Sequence, residues 1–177
     1  MNFVGPSIDW YLISPLLVLL GGALALLVGG ALTPKWPHGF YAGATATTIG
    51  AALVLMVLKW NDVETAQYLV SNALVVDRFG VLAVITMLVA VLLVTLVLND
   101  HLGRTNDDAP EPYGLMLTSV IGGILMVSSN DFVVMFLGLE TLSLSFYLLT
   151  ASDRKRETSG EAGLKYFILG GFASAFF

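Results

Sequence analysis

Two ionisable residues, Glu140 and Lys165, lie inside long apolar stretches of this chain. Glu140 follows Asp131 by nine residues, a rise of about 14 Å in an α-helix, which is close to the midplane of a hydrocarbon core about 30 Å thick. A charge at that depth costs roughly 2.5–3.5 kcal/mol, and intramembrane carboxylates often mark ion pathways. Glu140 is therefore predicted to bind and release protons. The competing interpretation is a protonated acid that only hydrogen-bonds between helices.

Lys165 has a simpler alternative explanation. It lies about two turns into the last apolar stretch, so its side chain can extend to the membrane surface or pair with Glu161 at i−4. The other interpretation places Lys165 on a proton path together with Glu140. The predicted helix of Glu140 also carries Ser143 and Tyr147 on the same face, which gives a polar stripe among leucines.

Six stretches with few or no charges must position these residues. A membrane-spanning helix needs roughly 17–25 apolar residues, and we predict such helices at residues 12–32, 40–58, 79–98, 113–129, 132–151 and 162–177. The chain is thus predicted to be an all-α integral membrane protein. It forms a single membrane domain over residues 1–177, a bundle of about six transmembrane helices of which the last is incomplete. The first stretch is expected to be a retained helix, because residues 1–10 contain no Lys or Arg and a signal peptide needs a positive start.

Composition excludes several classes of function. The chain is 56% hydrophobic and 12% charged with a net charge of −5, which favours the lipid bilayer and argues against nucleic acid as a partner. It has no cysteine, so disulfides, thiolate zinc sites and Cys-ligated iron–sulfur clusters are excluded. His38 and His101 lie far apart in the sequence and predict no metal site. We expect no cofactor in this chain.

The charges of the connectors predict the orientation. Positive residues accumulate in cytoplasmic loops, and alternate connectors here carry unequal numbers. One set has five, namely Lys35, Arg104, Arg154, Lys155 and Arg156, and the other has two, Lys59 and Arg78. We therefore expect a multi-pass protein of the cytoplasmic (inner) membrane with its N-terminus outside.

The connectors also carry local signals. Residues 63–76 are too polar to span and are expected to lie along the outer surface. Asn130 or Asp131 is expected to cap the fifth helix. Residues 158–161, Thr-Ser-Gly-Glu, fit a capping box directly before the sixth helix.

Two segments resemble a known family. FLGLETLSLSFYLL at residues 136–149 and EAGLKYFILGGFASAFF at residues 161–177 are similar to the fifth and sixth helices of subunit N of NADH–quinone oxidoreductase, the respiratory complex I. The separation of Glu140 and Lys165 by 25 residues fits the same pattern. VDRF at residues 76–79 is a weaker likeness, and Thr141 departs from the aliphatic residue usual in the family. The chain therefore resembles the N-terminal third of that subunit.

The resemblance implies an antiporter-like, proton-translocating subunit whose complete form has fourteen helices. NADH oxidation and quinone reduction then take place in partner subunits, which bind NAD, FMN, iron–sulfur clusters and quinone. Glu140 matches a glutamate that in the family pairs with a lysine of the seventh helix, and Lys165 matches a lysine of the sixth. The lysines of helices seven, eight and twelve have no counterpart here, so a fragment, a truncated frame or a separate second chain is expected.

Two other functions remain open from the sequence. One is an antiporter-type subunit of a multi-subunit sodium/proton exchanger, which has related helices. The other is a non-catalytic membrane scaffold in which Glu140 and Lys165 only hold helices together. The leading hypothesis has other membrane subunits of complex I as partners.

Overall fold

A computed structural model describes residues 9–33, 36–105, 109–153 and 155–177. The described chain forms six α-helices and one short hairpin. In chain order they are α1 (Trp10–Leu32), α2 (Phe40–Asp62), β1 (Gln67–Leu69), β2 (Leu74–Val76), α3 (Arg78–Thr105), α4 (Glu111–Val127), α5 (Phe132–Thr150) and α6 (Glu157–Ser174). Lys35 and Arg154, two of the positive residues used to predict orientation, lie outside the described residues.

The helices have the length and composition of membrane spans. Within the described residues, α1, α2, α3 and α5 are long and apolar enough to cross a bilayer. The fourth helix, α4, is apolar but has 17 residues, which is at the short end of the spanning range. The first half of α6 carries Glu157, Glu161 and Lys165. The prediction of an all-α integral membrane protein is confirmed.

Helices α1 to α4 pack into one core, which we call the four-helix bundle. Leu19, Ile49, Leu88 and Leu117, one from each helix, are fully buried in it. The bundle follows from the sequence because each helix is apolar nearly all round, so several faces can pack against protein or lipid. Buried Thr45 and Thr95 do not interrupt the core, since each hydroxyl donates to the carbonyl four residues earlier.

A hairpin covers one end of the bundle, which we call the hairpin end. Its strands pair antiparallel with Gln67 opposite Val76, and its turn holds Val70, Ser71 and Asn72 at positive φ. The hairpin also bonds to the α4–α5 turn, since Val75 N donates to Ser128 O over 2.7 Å. The prediction that residues 63–76 do not span is compatible with this structure, but the sequence analysis did not predict strands there.

The start of α6 differs from the predicted start. The helix begins at Glu157, and its N-cap Arg156 makes no side-chain capping bond. The predicted capping box at residues 158–161 is therefore wrong, because those residues already lie inside the helix. Ser159 Oγ instead donates to Thr150 O at the end of α5 over 2.6 Å. This bond ties the two helices together at the end of the bundle opposite the hairpin.

Candidate functional site

Glu140 lies at the middle of α5, a 19-residue helix. The helix begins after Asp131, whose carboxylate accepts from Val133 N over 2.7 Å and from Val134 N over 3.4 Å. This confirms the predicted cap. Because Asp131 fixes where the helix begins, it also fixes the depth of Glu140 within it. Thr141, the residue that departs from the family pattern, donates to Leu137 O over 2.7 Å and so leaves no hydroxyl unpaired.

One face of α5 packs closely on α4. A Cβ added at Gly122 would lie 2.5 Å from Leu142 N and 2.7 Å from Gly138 O. The two backbones therefore approach to a distance that only glycine at this crossing permits. Gly138 and Leu142 mark the α4 side of α5. With 3.6 residues per turn, Glu140 lies on the opposite side of the helix.

Glu140 shares the face of α5 that packs against α6. The ring of Phe136 stacks on Phe177 with centroids 6.1 Å apart, and the ring of Tyr147 meets that of Tyr166 edge-on at 4.7 Å. Positions 136, 140 and 147 fall within one face of the helix. Glu140 thus lies along the helix between two aromatic contacts that join α5 to α6, and it is half-buried.

The Glu140 carboxyl group lacks a bonding partner on one oxygen. Its Oε1 is buried and has no hydrogen-bond partner among the described residues. A buried carboxyl oxygen without a partner costs free energy that only a proton, a cation or a donor from elsewhere can recover. Chemically, such an oxygen can accept a hydrogen bond from a donor, or pair with a cation, that comes within reach.

Lys165 lies elsewhere and has its own partner. Its Nζ is 2.6 Å from Glu161 Oε1 on the same helix, and both side chains are mostly exposed. Within the described residues no ion pair joins Lys165 to Glu140. The structure therefore does not bring the two predicted site residues together, and it shows the i−4 pair that the sequence allowed as the simpler alternative.

Sequence reasoning missed Lys59, which is fully buried near the end of α2. Its ammonium donates to Tyr11 O, to Leu12 O over 3.1 Å and to Ser14 Oγ over 3.0 Å. Pro15 explains this arrangement, because a proline has no N–H to bond the carbonyl four residues earlier. The Tyr11 carbonyl is thereby free to accept from the lysine.

The aromatic ring of Tyr11 completes the surroundings of Lys59. The ammonium lies 4.7 Å from the centroid of that ring, and the Tyr11 hydroxyl donates to Asp62 Oδ2 over 2.9 Å. Lys59 was counted as a connector charge, and the structure corrects this, since it belongs to α2 and is withdrawn from solvent. The pairing of a proline near the start of one helix with a lysine in the last turn of the next is the signal that could have revealed it.

Clustered metal ligands are not found in the described part of the chain. No three side chains of His, Asp or Glu there lie close enough to hold a metal ion. The candidate chemistry of the described residues is therefore that of single protonatable groups, Glu140 in α5 and Lys59 in α2.

Comparison with known proteins covers both halves of the chain. Residues 129–177, which include α5 and α6, match the family described as "NADH:quinone oxidoreductase/Mrp antiporter, TM". Over 96% of its length the chain is 31% identical to NADH-quinone oxidoreductase subunit N of Trichlorobacter lovleyi, and over 96% it is 33% identical to subunit N of Bacillus anthracis. It covers 34% and 33% of those relatives, so it spans about a third of their length.

A solved structure shows the same fold. A chain of "Respiratory complex I from Thermus thermophilus with bound Aureothin" superposes with a TM-score of 0.72 at 27% identity, over 92% of this chain and 34% of that one. The resemblance inferred from the fifth and sixth helices is thus confirmed: in sequence and in fold, this chain is similar to about a third of NADH–quinone oxidoreductase subunit N.

Proposed function

We propose that this chain belongs to a proton-translocating membrane subunit of NADH–quinone oxidoreductase. In this role it takes no part in electron transfer, and NADH oxidation and quinone reduction occur in partner subunits that hold NAD, FMN, iron–sulfur clusters and quinone. The other membrane subunits of the complex are its partners. The relatives named above support this assignment, as does the structural likeness to a chain of a respiratory complex I.

The observation that carries the proposal is the carboxyl group of Glu140. It lies at mid-helix in the segment matched by the family, and its Oε1 is buried with no partner in the part of the chain that the structure describes. A group that served only to join helices would be expected to bond across them. A proton carrier must instead keep bonding capacity for a partner that changes during transport.

Glu140→Gln tests this role. The variant keeps the shape of the side chain but fixes its charge at zero, so NADH-driven proton pumping should fall roughly tenfold or more while assembly is retained. Glu140→Asp keeps the acid and should lose less. Pumping and quinone reduction are measured together in sealed vesicles, and assembly is checked on native gels.

Glu157→Gln is the matched control, because the same substitution is made at an exposed residue in the first turn of α6. It should pump at the wild-type rate. Normal assembly and wild-type pumping by Glu140→Gln would contradict the proposal and support the scaffold interpretation, in which the residue only packs.

The sodium/proton exchanger is the second candidate, since the matched family description names both groups of proteins. The two are separated by adding sodium to vesicles that receive neither NADH nor quinone. Complex I function predicts no sodium-driven proton movement there. Sodium-dependent exchange that Glu140→Gln abolishes would instead assign the chain to the exchanger.

We further propose that the hairpin end faces the outside of the inner membrane. The connector charges support this orientation, and more strongly once Lys59 is removed from the outer set. The chain has no cysteine, so Thr65→Cys near the hairpin and Thr158→Cys at the start of α6 each introduce a single thiol. An impermeant thiol reagent should label the first in intact cells and the second only in inverted vesicles. The reverse pattern would overturn the orientation.

A further inference from the structure

We propose that Lys59 is a second proton-exchange site, one that binds and releases a proton at the hairpin end of the four-helix bundle. Nothing about Glu140 or the family motifs requires this site. The inference rests on the proposed function only in taking the exchanged proton to be part of proton translocation. The exchange itself is inferred from the surroundings of Lys59.

The first observation is that neutral oxygens accept the hydrogen bonds of the buried ammonium. Its three N–H groups have three acceptors, the carbonyls of Tyr11 and Leu12 and the hydroxyl of Ser14. Among the described residues no carboxylate comes within the 4.0 Å of an ion pair with Lys59. Neutral acceptors replace the water molecules that would otherwise hydrate the buried ammonium. They do not hold the group in its protonated form as a bonded carboxylate would.

The second observation is that Ser14 can serve both protonation states. Its hydroxyl now accepts from Lys59 and donates to Tyr11 O over 2.7 Å. When an N–H bond of Lys59 breaks, the proton leaves with water and the nitrogen keeps the electron pair. The Ser14 hydroxyl then turns to donate to that pair, and the two remaining N–H groups stay on Tyr11 O and Leu12 O. The lysine nitrogen, the Ser14 hydroxyl and the two carbonyls therefore each keep a hydrogen bond in both protonation states of Lys59.

The third observation is a route for the proton. Lys59 lines a cavity of about 50 Å³ beneath the hairpin, which is large enough to hold a water molecule. Beside it lies a surface cleft lined by Asp9 and Tyr11, and the cavity and the cleft share Leu12 and Leu69 as walls. Two leucine side chains thus separate the lysine cavity from a polar opening at the surface.

The charged and titratable groups around Lys59 are few. Asp9 caps α1, Tyr11 belongs to α1 and Asp62 to α2, and Asp62 accepts from the Tyr11 hydroxyl. On α3, Arg78 donates to Val63 O and faces the ring of Trp60. The parts of the hairpin, α3 and α4 that line the cavity contribute no titratable side chain. On that side the proposed proton acceptor is therefore water that enters the cavity.

The direct test is ¹⁵N NMR of lysine Nζ in the full chain in lipid bilayers. The chain has four lysines, and the Lys59 signal is identified by its loss in Lys59→Arg. The signal should change reversibly between its ammonium and amine positions as the bulk pH is varied. A signal that stays at the ammonium position at every pH at which the protein remains folded would overturn the proposal. Lys59 would then serve only to hold α2 against the start of α1.

Ser14→Ala tests the switch, and Ser119→Ala is its control. Ser119 Oγ donates to Met116 O over 2.7 Å, the same i−3 bond that Ser14 makes to Tyr11 O. Ser14→Ala should move the midpoint of the Lys59 titration by roughly 0.5 pH unit or more, and Ser119→Ala should not. Equal titrations in both variants would contradict the role of Ser14 and with it the proposed site.

Pumping by Lys59→Arg, measured beside Glu140→Gln, distinguishes this proposal from the proposed function. Arginine keeps the positive charge and the donors but does not release a proton in proteins. An assembled Lys59→Arg complex should pump roughly tenfold more slowly or worse. Wild-type pumping by Lys59→Arg overturns the Lys59 site alone, whereas wild-type pumping by Glu140→Gln contradicts the proposed function and leaves the Lys59 site to be decided by the NMR titration.

Discussion

The four-helix bundle and the α5–α6 pair differ in how they bury their residues and their polar groups. In the bundle, α4 alone has ten buried residues, whereas α5 has three and α6 has one. The bundle therefore has its own core, while most of the apolar surface of α5 and α6 faces lipid or other protein. The ionisable group buried in the bundle, Lys59, has an acceptor for every N–H. Glu140 in α5 is half-buried, and its buried Oε1 has no partner among the described residues.

This difference shows which neighbouring groups can stabilise the charged form of Lys59 and of Glu140. The charge of Lys59 is supported within the bundle, by carbonyls that Pro15 and the start of α1 make available. Glu140 has no such support on its Oε1 among the described residues, so in the proposed function its charge depends on groups that approach its face of α5. A carboxyl group arranged in this way responds to changes in its neighbours, which is what coupling of proton binding to another event requires.

The largest effect on stability is expected where α4 of the four-helix bundle packs on α5. Gly122→Ala places a Cβ 2.5 Å from Leu142 N, and a backbone cannot yield as a side chain can. The substitution should lower the free energy of unfolding by about 1–3 kcal/mol or more, measured by chemical denaturation in lipid nanodiscs.

Gly50→Ala in α2 is the matched control, since a Cβ there meets nothing within 4 Å. It should leave stability unchanged or raise it by up to about 1 kcal/mol, because alanine is the better helix former. Equal effects of the two substitutions would show that this backbone contact does not hold α5 against α4. The four-helix bundle and the α5–α6 pair would then not be joined at Gly122.

The sequence predicted this architecture because charge-free runs depend only on local composition. It also predicted the depth of Glu140, since Asp131 is a strong cap and rise per residue is constant. It did not predict the burial of Lys59, which depends on Pro15 in a different helix. The hairpin was missed for a similar reason, since its pairing with the α4–α5 turn is a tertiary contact.

Helix boundaries show the same limit. The Thr-Ser-Gly-Glu pattern predicted a cap before residue 162, but the helix begins at Glu157. A capping box is a local preference of about 1 kcal/mol, and the bond from Ser159 to Thr150 O together with the packing of α6 on α5 outweighs it. The local signal at Asp131 predicted the helix start correctly, because its carboxylate accepts directly from Val133 N and Val134 N.

A smaller effect is expected within the α5–α6 pair. A Cβ at Gly170 would clash with the hydroxyl end of the Tyr147 side chain, which can move aside at modest cost. Gly170→Ala should therefore destabilise by about 1 kcal/mol, less than Gly122→Ala. The neighbouring Gly171 has open space at its Cβ position, so Gly171→Ala is the control in the same denaturation assay. A loss at Gly170 as large as that at Gly122 would mean that α6 is packed as rigidly as the bundle.

The smallest effect is expected at Lys165. Its ion pair with Glu161 is 2.6 Å long, but the two side chains are 70% and 63% exposed, and pairs of that kind contribute about 0–1 kcal/mol. Lys165→Ala should therefore change stability little. If pairing with Glu161 is its whole role, the variant should also pump protons almost as well as the wild type, and Glu161→Gln should have the same small effect. If Lys165 lies on the proton path, Lys165→Ala should impair NADH-driven pumping as severely as Glu140→Gln while Glu161→Gln remains active. That outcome would contradict the expected difference between Lys165 and Glu140. The exposed ion pair of α6 would then be as important for transport as the carboxyl group of Glu140 in α5.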